Sequence, residues 1–191
     1  MLDIIINKNI IFLQKHGIKI TTEEDKAVYK YGLQIIYYYV IDLFVIFSLA
    51  FIFGRLYETA IITFIFGLLQ VFGSGYHAET PLKCLLIMIA GIFSGNILII
   101  LIADKIEFNI ILIIILSIVV LILKPVTNKK HPVSKKTKQR SKIIFRISVM
   151  SILAASFILG YFSKNIEVTA IVITLNLYLI SLLYAKIKNF K

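Results

Sequence analysis

Apolar residues run in six long blocks along this 191-residue chain, at positions 33–53, 57–76, 82–103, 108–123, 143–162 and 168–185, separated by short polar turns except for the longer basic stretch at 124–142. A helix needs about 20 apolar residues to cross roughly 30 Å of hydrocarbon, so the pattern predicts six transmembrane helices. The second block carries Glu58 at its edge and the fourth is short. Little tilt or a locally thinned bilayer accommodates both. Ahead of the first block, residues 2–13 put Asp3, Asn7 and Gln14 near one line of a helical wheel, which suits an amphipathic helix lying on a membrane surface. His16-Gly17 breaks that helix. Thr21-Thr22-Glu23-Glu24-Asp25 then offers two overlapping capping boxes, Thr21 with Glu24 and Thr22 with Asp25, so a new helix starts there and runs into the first span. The expected fold is all-α: a polytopic membrane protein of about six transmembrane helices preceded by an N-terminal amphipathic helix. No repeat or soluble linker divides it, so residues 1–191 are expected to form one domain.

Composition strengthens this picture. Hydrophobic residues make up 59% of the chain and charged residues 16%, with a mean hydropathy of +0.92. Average soluble domains have about 45–50% and about 25%. Disorder is excluded, and a water-soluble globule is not expected. The 21 Lys and Arg outnumber 10 Asp and Glu, and their distribution tests the topology. Five lie in the arm at 1–30, Lys83 lies at the very start of the third block, nine lie within 124–146 and three follow residue 185. The opposite turns hold only Arg55, Lys105 and Lys164, beside Glu58, Asp104, Glu107 and Glu167. Cations accumulate on the cytoplasmic side, so both termini, the arm at 1–30 and the basic loop at 124–142 are expected there. A re-entrant second block would flip the parity and move that loop outside. The arm does not read as a secretory signal, because Asp3 stands where a basic n-region is needed.

One cysteine, Cys84, excludes an intramolecular disulfide, and His16, His77 and His131 show no zinc-ligand spacing. No metal or organic cofactor is expected. The informative stretch is Gly73-Ser74-Gly75-Tyr76-His77-Ala78-Glu79-Thr80-Pro81-Leu82-Lys83-Cys84. On one unbroken helix His77 and Cys84 would lie about 10.5 Å apart along the axis. A nucleophile and its base need about 3 Å. The residues between them argue for a break: Gly73 and Gly75 permit a turn, Thr80 is a good N-cap and Pro81 fits the first helical position. His77 is therefore expected in a loop at the inner membrane surface, and Cys84 in the first turn of the third span. A helix N-terminus favours thiolate, and Lys83 pushes the same way. A loop histidine folding back could take the thiol proton and later protonate a leaving amine, while first-turn N–H groups hold an oxyanion. Glu79 is the nearest group able to orient His77. The competing reading is plain: a lone cysteine in an apolar span commonly serves packing, and a loop histidine is often only interfacial.

Gly75-Tyr76-His77-Ala78 with a cysteine seven residues after the histidine resembles the AgrB family of Gram-positive quorum-sensing systems. Glu23-Glu24 before Tyr31-Gly32-Leu33 resembles that family's entry into the first span. Lys124-Pro125 leading to Lys129-Lys130-His131-Pro132 resembles its proline-bearing basic loop. The resemblance covers nearly the whole chain. It implies a membrane cysteine endopeptidase that removes the C-terminal tail of an AgrD-like precursor peptide, with His77 as base and Cys84 as nucleophile. It also implies a peptidyl thioester on Cys84, which an internal cysteine or serine of the precursor displaces to close a thiolactone or lactone. Two positions depart from the family pattern: Ser74 replaces one of two adjacent glycines, and Gln70 stands where many members carry arginine. Gln70 donates hydrogen bonds but brings no charge.

The basic loop has no acidic residue. As a topology signal touching anionic lipid, at about 1 kcal/mol per cation, it needs no further role. A sharper expectation is that Lys129, Lys130, Lys135 and Lys136 also recruit an acidic precursor tail. Nucleic acid is not expected as a partner, because the loop lacks interleaved aromatics. Asp42 is an acidic residue deep in a span, with no nameable partner. Asn96 and Asn176 suit helix–helix hydrogen bonds, and Ser94 and Gly95 suit close helix approach, either within the chain or in a homodimer. The rival function from another class is a small transporter or peptide-export component without covalent chemistry. A metalloprotease lacks its His-Glu-x-x-His motif. A purely structural subunit leaves residues 73–84 unexplained.

Overall fold

The computed structural model describes residues 2–73, 75, 76, 78, 80–123 and 135–189. These form seven helices: α1 (Leu2–Lys15), α2 (Glu23–Ile52), α3 (Leu56–Gly73), α4 (Pro81–Ile102), α5 (Ile106–Ile122), α6 (Lys135–Tyr161) and α7 (Asn165–Asn189). No strand occurs among the described residues. Five of the helices are long and apolar enough to span a membrane, and α5, at 17 residues, is the short one that the fourth block predicts. The all-α reading with six apolar helices after an N-terminal helix therefore holds.

Residues 1–49 form one compact unit. Gly17, at φ 87°, ends α1: its N–H donates to the Gln14 carbonyl and that of Ile18 to Leu13, which satisfies two carbonyls of the last turn. Of the two possible capping boxes, Thr22 with Asp25 is the pair that forms. The Asp25 N–H donates to Thr22 Oγ1 at 3.0 Å and the Thr22 N–H to Asp25 Oδ2 at 3.2 Å. Ile6, Ile10 and Ile20 are buried, packed with Leu13, Tyr29, Leu33 and Tyr37. An Asn9–Tyr37 hydrogen bond of 2.6 Å and an Asp3–Lys30 ion pair of 3.0 Å tie α1 along the start of α2.

Residues 50–191 form the second unit, built around α7. The apolar window of α7 is 56% buried, against 22–33% for α3, α4 and α6, which makes α7 the central helix. Every residue from Val168 to Leu175 is buried, as expected of a helix enclosed on all sides. Its Val172, Leu175, Tyr178 and Leu182 pack with Leu69 of α3, Ile113 and Val120 of α5, and Phe145 and Val149 of α6. Interhelical polar pairs reinforce the packing. Asn96 donates to Thr59 Oγ1 at 3.1 Å and Asn109 to Thr169 Oγ1 at 2.8 Å. Asn176 instead turns back to the Val172 carbonyl of its own helix. Gly95 serves packing within the chain, since a Cβ there would stand 3.0 Å from Ile173 Cγ2.

Two helix ends differ from the apolar pattern. The second span ends at Gly73 rather than continuing to Tyr76, and there the Gly73 backbone packs closely against Tyr178 and Phe145. Helix α6 starts at Lys135, well before the apolar block at 143, because Lys, Gln and Arg are good helix formers and carry the helix out beyond the apolar block. The segment expected as a basic loop is thus helical from Lys135 onward.

Candidate functional site

At one end of the second unit the chain between α3 and α4 is pinned from three directions. Gln70 Nε2, near the end of α3, donates to the Tyr76 carbonyl at 3.1 Å. The Tyr76 N–H donates to Ser181 Oγ of α7 at 3.0 Å. The Tyr76 ring stands edge-on to Tyr184 with centroids 4.6 Å apart. Just upstream, Ser141 Oγ of α6 donates to the Phe72 carbonyl at 2.9 Å. The peptide groups on both sides of Tyr76 are thereby held by side chains, which matters where strand or helix pairing is unavailable to them. Both glycines are needed for this fit. A Cβ on Gly73 would overlap the Tyr178 hydroxyl and the Phe145 ring, and one on Gly75 would lie 2.8 Å from Ser181 Oγ.

The start of α4 follows the local signals in the sequence. Thr80 is the N-cap, extended at φ −130° and ψ 148°, and Pro81 opens the helix. Thr80 Oγ1 accepts from the Lys83 N–H at 3.3 Å, and the Thr80 carbonyl accepts from the Cys84 N–H at 3.1 Å. Pro81 has no N–H. The expectation of several free first-turn donors therefore narrows: among the described residues Leu82 supplies the one first-turn N–H that Thr80 does not take. Cys84 is half-buried and in no disulfide, and Lys83 is exposed.

Helices α3, α4 and α7 line a half-open cavity of about 330 Å³ beside this corner. Cys84, Gln70, Tyr76, Ala78, Ser181 and Tyr184 line the part nearest the α3–α4 connection, and Ile62, Thr63, Phe66, Ile87, Met88, Gly91, Ile92, Leu177 and Ile180 line the rest. Seven residues separate Cys84 from Gly91, so the cavity runs about 10 Å along α4. Its walls are mostly aliphatic. Thr63 is an exception, since it is 7% exposed and its hydroxyl oxygen is buried with no hydrogen-bond partner in the structure.

Of the residues singled out from sequence, Cys84, Gln70 and Gly75 thus meet in one corner, with Lys83 beside them. His77 and Glu79 lie outside the described residues, but both chain neighbours of His77, Tyr76 and Ala78, line the same cavity as Cys84. Lys129 and Lys130 also lie outside the described residues, and Lys135 and Lys136 are described only as the start of α6. Sequence reasoning missed Ser181, Tyr184 and Thr63. Ser181 was detectable in principle as a hydroxyl within the apolar run of α7, a residue type that bonds across membrane helices. Nothing in the sequence joins it to Tyr76, 105 positions earlier.

Comparison with known families gives one result: a family model described as AgrB, accessory gene regulator B, matches residues 6–183. Comparisons with curated proteins and with solved structures found no match.

Proposed function

The chain belongs to the accessory gene regulator B family, membrane proteins that act in autoinducing-peptide processing and are linked to an AgrD-like precursor; from that premise we propose that it is a cysteine endopeptidase with Cys84 as nucleophile and His77 as base. One observation carries the reading. The chain's single cysteine lies in the first turn of α4, on the wall of a cavity that the two neighbours of His77 also line. A cysteine that only packs has no need of such a cavity.

The chemistry follows from these groups. His77 takes the Sγ proton, and the thiolate adds to the scissile carbonyl of the precursor. The charge moves to the carbonyl oxygen, where the Leu82 N–H and the α4 N-terminus favour it. The C–N bond breaks as the His77 imidazolium gives its proton to the leaving amine, and the tail departs. The retained segment is then an acyl thioester on Cys84. An internal thiol or hydroxyl of the precursor loses its proton to His77 and adds to that thioester carbonyl. The bond to Cys84 breaks, a ring closes, and the Cys84 thiolate recovers the proton. Excluding water at this stage favours ring closure over hydrolysis. Glu79 orients His77, and Lys83 adds positive charge beside the thiol. Lys129, Lys130, Lys135 and Lys136 draw in an acidic tail. The distribution of Lys and Arg supports a cytoplasmic location for this corner and both termini.

The test is co-expression of the chain with an AgrD-like precursor. Wild type releases the tail fragment; Cys84→Ala and His77→Ala insert normally and release none. A transporter without covalent chemistry would keep its function in Cys84→Ala. Neutralising the four lysines raises KM and its salt sensitivity if they recruit the tail. Unchanged kinetics with normal insertion would remove that role.

A further inference from the structure

Resting on the endopeptidase reading, we propose that the cavity beside Cys84 is the specificity pocket for the precursor residues just before the cleaved bond, and that it selects large apolar side chains there. The first support is composition. Away from the α3–α4 connection the cavity wall is formed mostly by apolar side chains such as Ile62, Met88 and Ile92, with Gly91 leaving the α4 wall open. Such a wall takes an apolar group and rejects a charge, which would lie there unpaired. The second support is size. About 330 Å³ falls at the lower end of the range typical of ligand pockets, roughly 300–1,000 Å³, and is suited to one large or two adjacent side chains rather than a whole peptide.

The choice of the acyl side follows from the two-step chemistry. The tail must leave and the ring-closing nucleophile must arrive in its place, so the tail side has to stay open. The acyl segment stays bonded to Cys84 through both steps. Its apolar residues held in the cavity anchor the thioester and keep water from it.

The experiment measures initial rates of tail release by membranes holding the full chain. The substrates are precursor peptides with Phe, Ala or Asp immediately before the cleaved bond. Wild type should process Phe at least about 10-fold faster than Ala, the scale on which a hydrophobic pocket discriminates, and Asp slowest. Gly91→Leu narrows the cavity and should lower the Phe-to-Ala ratio several-fold. Its Cβ meets Leu177 at 3.6 Å, an ordinary contact. Met88→Ala enlarges the cavity and should raise the rate of a Trp precursor relative to Phe, which keeps the proposal testable if Gly91→Leu does not fold. Equal rates for Phe and Asp in wild type, or ratios unmoved in Met88→Ala, overturn the pocket. So does a lipid acyl chain that Gly91→Leu displaces without altering the ratios. Cys84→Ala, run alongside, separates the two claims: tail release by that variant defeats the endopeptidase reading itself, whereas Cys84-dependent release with unmoved ratios defeats only the pocket.

Discussion

The two ends of the α3, α4 and α7 group are built on opposite plans. At the end holding residues 55–59, side chains pair directly across helices and turns: Arg55 with Glu58 at 2.8 Å, Tyr57 with Glu167 at 2.9 Å, and Thr59 with Asn96 at 3.1 Å. At the end holding residues 73–84, Gln70 and Ser181 spend their hydrogen bonds on the Tyr76 backbone and Ser141 on the last turn of α3, and the helices part around a cavity. Side chains paired to each other close a bundle. Side chains committed to a loop hold that loop in place while leaving space beside it. The first end is closed by paired side chains, and the second leaves an open space beside Cys84.

Substitutions at the two ends should therefore separate stability from activity. The largest effect is expected at Gly73. Gly73→Ala pushes a methyl into Tyr178 and Phe145 and should cost about 1–3 kcal/mol in thermal unfolding, as overpacking generally does. Phe145→Leu in the same chain should recover part of that loss. Gly75→Ala comes next. Its Cβ meets Ser181 Oγ, so processing should fall about 10-fold, or about 1.4 kcal/mol, with little change in unfolding temperature. Ser181→Ala should also slow processing, yet the double variant should be less impaired than the two losses multiplied, because the clash has gone; multiplicative losses would remove the link. At the closed end, Asn109→Ala breaks the bond to Thr169 and should cost about 0.6–2 kcal/mol while leaving the processing rate of the folded protein unchanged. The smallest effect is at Ser163, a non-glycine residue at φ 54° closing α6. Ser163→Gly should stabilise by about 0.5–1 kcal/mol with no effect on activity.

The same contrast explains what was legible in the sequence. The spans follow from apolar block length alone, and the Thr80-Pro81 start of α4 follows from local capping chemistry, so both are readable without tertiary knowledge. The apolar block overruns the end of α3 because Tyr76 is apolar enough to extend it, whereas the helix ends at Gly73, the first of the two glycines that permit a turn. The start of α6 was hidden because a lysine-rich stretch reads as a solvated loop although its helix propensity is good. Gln70 stood out only as a departure from a family pattern. Its role in holding the Tyr76 carbonyl depends on how the chain returns after Gly73. The cavity and its α7 wall arise from three helices far apart in sequence, so no local signal announced them.

The central claim is that Cys84 carries the precursor covalently, and intact-protein mass spectrometry of the chain rapidly quenched with its precursor tests it most directly. Wild type should gain the mass of the precursor segment before the cleaved bond, and hydroxylamine should remove it, as it does a thioester. Cys84→Ala should show neither adduct nor released tail. Tail release from Cys84→Ala at the wild-type rate, with no adduct on the wild-type chain, would contradict the account.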